Sequence, residues 1–200
     1  MSIQGFLKFS ESDAGYKVVS VSLEETKHFI LQIHYAKRMP SISHSFGLVK
    51  NGNLVGIVTY GMPASPFLCI GVCGDKWKNN VLELNRLCLL NNEKNEASML
   101  VGRSLKMLPR PSVIVSYADK AQGHIGYVYQ ATNFLFTGTT KERTDMASEN
   151  GKHSRHNQGD SNARQFRSSK HRYVTFVGSK KQVKEMLSDL KYKTQRYPKP

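Results

Sequence analysis

Apolar and polar positions along this chain switch repeatedly between a two-residue and a three-to-four-residue period, and each stretch points to its own element. Residues 16–21, YKVVSV, are β-branched and short, which predicts a strand. Ser22 with Glu25 then forms a capping box, whose hydroxyl and carboxylate satisfy the free amides of a helix start. Phe29, Ile30 and Ile33 give that helix one apolar face, and Pro40 sets its outer limit, because the residue before proline is pushed out of the helical region. His34, Tyr35 and Arg38 therefore fall on the last turn and its exit. Residues 46–49 and 54–60 are apolar runs around Asn51-Gly52, a dipeptide that tolerates positive φ, so they predict a hairpin. The Gly- and Pro-containing passage 61–74 predicts backbone bends rather than a regular element.

Residues 81–90, VLELNRLCLL, are too apolar for an edge and predict a central strand. A helix follows over 97–108, ended by Pro109 and Pro111. Residues 112–117 predict a buried strand, 126–131 a short helix and 134–139 another strand. Residues 148–172 hold only Ala163 and Phe166 as apolar side chains, too little to offset the entropy of ordering. Yet 173–177, YVTFV, predict a strand, and Ser179 with Gln182 opens an amphipathic helix through Val183, Met186, Leu187 and Leu190. The polar stretch, 141–172 at its widest, is thus a basic and flexible insertion before the last strand of a single domain spanning 1–200. The element order implies an α/β fold, a mixed central β-sheet flanked by helices.

Charge sharpens this picture. The 200 residues carry 29 Lys and Arg against 15 Asp and Glu, a net of +14. The last 60 residues hold 15 of those cations and 6 of the anions, so the excess is concentrated there. Such a surface attracts polyanions, of which nucleic acid is the commonest. No apolar run reaches the roughly 18 residues of a membrane span, and the first ten residues lack the pattern of a signal peptide, so a cytoplasmic protein without membrane contact is expected. Cys69, Cys73 and Cys88 form no CxxC pair, which argues against a disulfide framework and a structural zinc site. Cys88 reads as core, whereas Cys69 and Cys73 are expected to be accessible but unactivated.

Three places are suited to chemistry. The amides of Ala97 and Ser98 at a helix start would suit a pyrophosphate, although an ordinary helix capped by Asn95 explains the same pattern. His34, Tyr35 and Arg38 cluster at a helix exit. Ser116, Tyr117 and Asp119 end a buried strand and precede His124, a position that lines the ligand crevice in open α/β sheets. Asp119 is there a candidate general base or metal ligand, and the same residues also serve as ordinary caps and hydrogen-bonding groups.

The run His34-Tyr35, Arg38-Met39-Pro40, Tyr60-Gly61, Glu83-Leu84-Asn85-Arg86-Leu87, Asn95-Glu96-Ala97-Ser98 and VSYADKAQGHIGYVYQATNFLFTG over 115–138 resembles the bacteriophage Mom DNA-modification proteins. That resemblance implies a divergent GNAT acetyltransferase fold. It implies conversion of adenine in double-stranded DNA to N6-methylcarbamoyladenine, which protects phage DNA from host restriction in the host cell cytoplasm. Acetyl-CoA and iron are the implied cofactors. By position, Leu84, Arg86, Ala97, Ser98, Gly102 and Asn133 would serve the cofactor. His34, Tyr35, Arg38, Ser116, Tyr117, Asp119, His124 and Tyr129 would surround the reacting centre, with His34, Tyr35 and Asp119 as iron ligands. The helix NEASMLVGRSL departs from the glycine-rich phosphate loop of ordinary acetyltransferases. The rival readings are a GNAT-type acyl-CoA-dependent transferase for a small amine or protein, and a non-catalytic DNA-binding module. A homodimer is compatible with each.

Overall fold

The computed structural model of the chain describes residues 15–146 and 164–199. Strand β1 (Tyr16–Ser20) leads into helix α1 (Leu23–His28), whose expected capping box is made in both directions between Ser22 and Glu25. A π-helical turn, Phe29–Ile33, continues α1 and closes with the His34 amide donating to the Phe29 carbonyl at 2.8 Å. The helix therefore ends well before Pro40. The wider turn buries Phe29 and Ile30 and delivers the extended His34 at its exit. Strands β2 (His44–Lys50) and β3 (Asn53–Gly61) form the expected hairpin, with Asn51 at φ 50° and Gly52 at φ 85°, the pair of left-handed residues that matches strand twist.

Residues 61–74 depart from the expectation of bends. Helix α2 (Pro66–Cys73) occupies most of them, with Pro66 in its first turn, where no intrahelical amide is needed. Its inward face, Cys69, Val72 and Cys73, is buried, and tertiary packing outweighs the glycines. Cys69 and Cys73, expected to be accessible, are thus core residues, as is Cys88 in a separate cluster. Burial pushes the Cys73 thiol up to about 12 and the Cys88 thiol to about 11.

Strand β4 (Val81–Leu89), helix α3 (Glu96–Met107), strand β5 (Ser112–Asp119), helix α4 (Tyr127–Ala131) and strand β6 (Leu135–Thr139) fall where the hydrophobic pattern puts them. Strands β7 (Arg143–Met146) and β8 (Arg164–Arg167) pair with each other, and β9 (Lys170–Val177) begins three residues before the strand expected at Tyr173. The described ends of the expected insertion are therefore strands, held by backbone pairing that its polar composition conceals; residues 147–163 lie outside the described part. Helix α5 (Lys180–Ser188) starts with the second capping box.

The main sheet has seven strands in the order β1-β2-β3-β4-β5-β9-β6. All neighbours are antiparallel except β4 and β5, which pair in parallel over only four positions, from Val81 with Val113 to Leu84 with Ser116. Beyond that point β4 stays with β3, and β5 stays with β9 as far as Asp119 opposite Lys170. The sheet consequently splays open in its middle. Helices α3 and α4 cover one face around Leu100, Ile114, Phe134 and Tyr173, while α2 and α5 cover the other around Val72, Trp77, Val115 and Met186.

Candidate active site

The splay opens into a cavity of about 710 Å³. Its walls are the far half of β4, the start of α3, the end of β5 and residues 123–129, joined by His34 and Tyr35 from the π-turn exit. Of the residues singled out in the sequence, His34, Tyr35, Leu84, Arg86, Ala97, Ser98, Tyr117, His124 and Tyr129 line this one space. They come from five separate segments, and the divergence of β4 and β5 is what gathers them.

At one side His34 stacks on Tyr35, with ring centroids 4.5 Å apart, and Tyr35 meets His124 edge-on at 6.2 Å. Tyr35 is 52% exposed, so this aromatic ladder sits at the mouth. Burial, with the nearby Arg86 and His124, holds the His34 imidazole down to about 4. Its Nδ1 accepts the Ala36 amide at 3.0 Å, so the neutral ring carries its proton on Nε2 and offers a donor. Deeper in, burial pushes Tyr129 up to about 12 although the Ser116 hydroxyl bonds to it, and Ser116 donates to the Leu84 carbonyl at 2.9 Å. Ser116 thus acts on the cavity through Tyr129 and not from its wall.

Arg86 anchors the β4 wall near His34. Its Nη1 donates to the Asn85 carbonyl at 2.6 Å and its Nη2 to that of Arg38 at 2.8 Å, while Nε is buried without a partner among the described residues. An unsatisfied donor of this kind is costly unless a ligand accepts from it. At the start of α3 the Glu96 and Met99 amides are taken by the Glu93 and Asn95 carbonyls, and Ala97 and Ser98 between them face the cavity. Asn95 sits at the cap with φ 69° but makes no side-chain cap bond, so the ordinary Asn95 cap is not what closes this helix.

The remaining expected residues lie elsewhere. Arg38 supplies a backbone carbonyl to Arg86, while Gly102 and Asn133 are outside the cavity lining. Asp119 is also outside it and is committed: Oδ1 accepts from the Ala121 amide and the Ser168 hydroxyl, and Oδ2 pairs with Lys170 at 2.7 Å. Burial alone would raise its pKa, but Lys170 and Ser168 outweigh that and lower it. Iron at His34, Tyr35 and Asp119 does not fit this arrangement. Both carboxylate oxygens and the His34 Nδ1 are already used, and no group of three His, Cys, Asp or Glu side chains placed to hold a metal occurs among the described residues.

Glu83, quoted above only as part of a motif, is a buried acid beside the site that sequence reasoning missed. It sits on β4 one residue before the splay, outside the cavity lining, and burial raises its pKa against the pull of Arg86 and Lys170. Its charge bears on Tyr117 and Tyr129 of the cavity and on Cys69 of α2. A carboxylate inside the otherwise apolar run VLEL was the available signal.

Comparison with known proteins adds independent observations. Residues 15–199 match the Mom protein family. The methylcarbamoylase Mom of Escherichia phage Mu is 27% identical, over 92% of this chain and 83% of the phage protein. Among solved structures, Arabidopsis thaliana NAA60 in complex with acetyl-CoA superposes with a TM-score of 0.52 at 13% identity, covering 81% of this chain and 98% of that one. A chimera of the Vibrio cholerae spermidine N-acetyltransferase SpeG gives 0.51 at 12% identity, covering 86% and 99%. At these identities the likeness is one of fold, and the GNAT-like sheet expected from the sequence is the sheet these acetyltransferases share.

Proposed function

This chain belongs to the Mom protein family, and from that membership we propose that it is an enzyme that modifies adenine in duplex DNA to its N6-methylcarbamoyl form. The reading accords with the phage Mu methylcarbamoylase, with the acetyltransferase-like sheet and with a net charge of +14 suited to DNA. Its place of action is the host cytoplasm, where the product shields phage DNA from restriction. The single observation that carries the site assignment is the splay cavity, which the Arg86 side chain and the open start of α3 both line.

Acetyl-CoA suits that space as the acyl carrier, as in the solved NAA60 complex. Ala97 and Ser98 would hold its phosphates by their amides, and Arg86 would donate to an acyl or amide oxygen. When bound, the carrier would supply an activated carbonyl; methylcarbamoyl holds a nitrogen between methyl and carbonyl that acetyl lacks, and placing it there breaks the C–C bond in a two-electron oxidation, so a further co-substrate must bring nitrogen at the hydroxylamine oxidation level or be accompanied by a two-electron oxidant. His34 offers Nε2–H to the developing carbonyl charge. Tyr35 and His124 present ring faces to the base at the mouth.

Mass spectrometry of nucleosides from DNA of cells expressing the protein tests the activity. A methylcarbamoyl adenosine absent from control cells is expected; its absence overturns the reading, and an acylated small amine or protein in its place supports the rival transferase. For the carrier, Arg86→Ala should weaken acetyl-CoA binding by about tenfold or more in calorimetry, with Arg86→Lys recovering only part. Unchanged affinity in Arg86→Ala removes Arg86 from the carrier site.

A further inference from the structure

Phe67 is the most exposed large apolar side chain among the described residues, at 85%. It stands in the first turn of α2, directly after Pro66, so its backbone is stiff. The same helix is rooted in the core by Cys69 and Val72, which pack with Val115 and the cavity residue Tyr117 in one cluster. An aromatic ring on a rigid, anchored support projects here into solvent, flanked by exposed Met62 and Ile70. Burial of Phe67 in the free protein would stabilise it by about the usual aromatic contribution, and the fold forgoes this.

The charges around it are arranged for a polyanion. Residues 61–74 contain no Lys, Arg, Asp or Glu, so the tip itself is neutral. One helical turn along, at Gly71, a Cβ would come within 3.3 Å of the Tyr192 hydroxyl. The Arg172 guanidinium lies 3.4 Å from the centre of the Tyr192 ring and donates to the Thr137 hydroxyl and carbonyl, whereas Lys191 closes on the helix end at Gly74. Tyr117 packs in the α2 cluster and also lines the cavity, so the helix that carries the apolar tip and Lys191 backs onto the cavity wall.

We propose that α2 is the DNA-opening element of this protein, and that Phe67 enters the base stack of duplex DNA beside the target adenine while Lys191 holds an adjoining phosphate. This rests on the DNA-adenine reading above. Adenine N6 is paired in the duplex, so chemistry on it requires the base to leave the stack, and an inserted apolar side chain fills the gap it leaves. Three apolar side chains fall well short of the roughly 800 Å² per partner of a stable protein interface, which favours DNA over a second protein.

The test compares full-length wild type with Phe67→Ala and Phe67→Trp, each shown to be folded by circular dichroism. A duplex carrying 2-aminopurine beside an adenine reports unstacking by its fluorescence. Wild type is expected to raise the signal. Phe67→Ala should bind the duplex within about threefold of wild type, because phosphate contacts carry the affinity, yet raise the signal several-fold less. Phe67→Trp should restore it. In cells, modified adenine should fall by about tenfold in Phe67→Ala and recover in Phe67→Trp. Wild-type fluorescence and modification in Phe67→Ala overturn the proposal. So does a wild-type dimer that Phe67→Ala converts to a monomer, since that makes the face a contact between copies. If wild type makes no modified adenine, the enzymatic reading fails by itself, and the fluorescence comparison still decides whether Phe67 opens the duplex.

Discussion

The His34 imidazole shows how one side chain acquires a single chemical role. Its ordinary pKa would leave it partly charged near neutrality, but burial and the neighbouring Arg86 bring it to about 4. The Ala36 amide fixes which nitrogen holds the proton. Nitrogen-detected NMR should therefore find the Nε2–H tautomer at pH 7 and a midpoint near 4; an Nδ1–H ring, or a midpoint above about 6, contradicts the role as a neutral donor. The sign for stability follows from the depressed value. As pH falls below the unfolded pKa of about 6.5, the unfolded chain takes up the proton first, so the His34 contribution is whole above that pH and is lost down to the folded value. None of this is legible in the motif His34-Tyr35, because proton affinity is set by Arg86 and His124, which are distant in sequence. Asp119 makes the same point in reverse. It sits at a strand end where a catalytic acid would be, yet Ser168 and Lys170 from the approach to β9 consume it.

Among the elements, α1, the β2–β3 hairpin, α3, β5 and both capping boxes could be read directly, since each depends on residues within a few positions of one another. Helix α2 could not. Its glycines and prolines argue locally for bends, and only its buried face against Val81, Val113 and Val115 makes a helix favourable. The π turn after α1 was equally hidden, because a shift from four- to five-residue hydrogen bonding leaves no mark on apolar spacing. The turn into α4 depends on Gly126, at φ 80°, where a Cβ would lie 2.5 Å from the Tyr173 ring. Tyr173 is buried and its hydroxyl donates to the Ile125 carbonyl, so the ring has no free path away. Gly126→Ala should lower the urea unfolding free energy by about 2 kcal/mol or more, from backbone strain and overpacking together. A loss of only a few tenths would show that the 123–129 wall yields easily.

For the whole molecule, net charge announces a polyanion partner but not where it lies. Residues 147–163 carry Lys152 and Arg155 against Glu149 and Asp160, so the middle of the expected basic insertion is neutral in sum. The cations sit instead on the strands at its ends, Arg143, Arg164, Arg167, Lys170 and Arg172, which backbone pairing orders into β7, β8 and β9. The double substitution Arg164→Ala with Arg167→Ala should weaken DNA binding across sequences and reduce the slope of log affinity against log salt by about 2, near one per phosphate contact. An unchanged slope would move the phosphate contacts away from the β7–β8 pair. The chain after α5 contributes as well: Gln195 and Tyr197 bond to the carbonyls of Phe136 and Phe134, laying this basic segment along β6.

By itself the sequence determined the fold class, most element positions and the family resemblance, and its charge raised the expectation of a polyanion partner, because these follow from local periodicity, short-range capping, a long motif and summed charge. Only the tertiary structure decided which polar residues share a site. The parallel pairing of β4 with β5 stops after Leu84 and Ser116, and that early divergence opens the cavity, gathers Arg86, His34 and Tyr129 into one lining, and leaves Asp119 outside. Where two strands part company depends on what each one prefers as its other neighbour, β3 for one and β9 for the other, and such a competition between distant segments is written in no single stretch of residues.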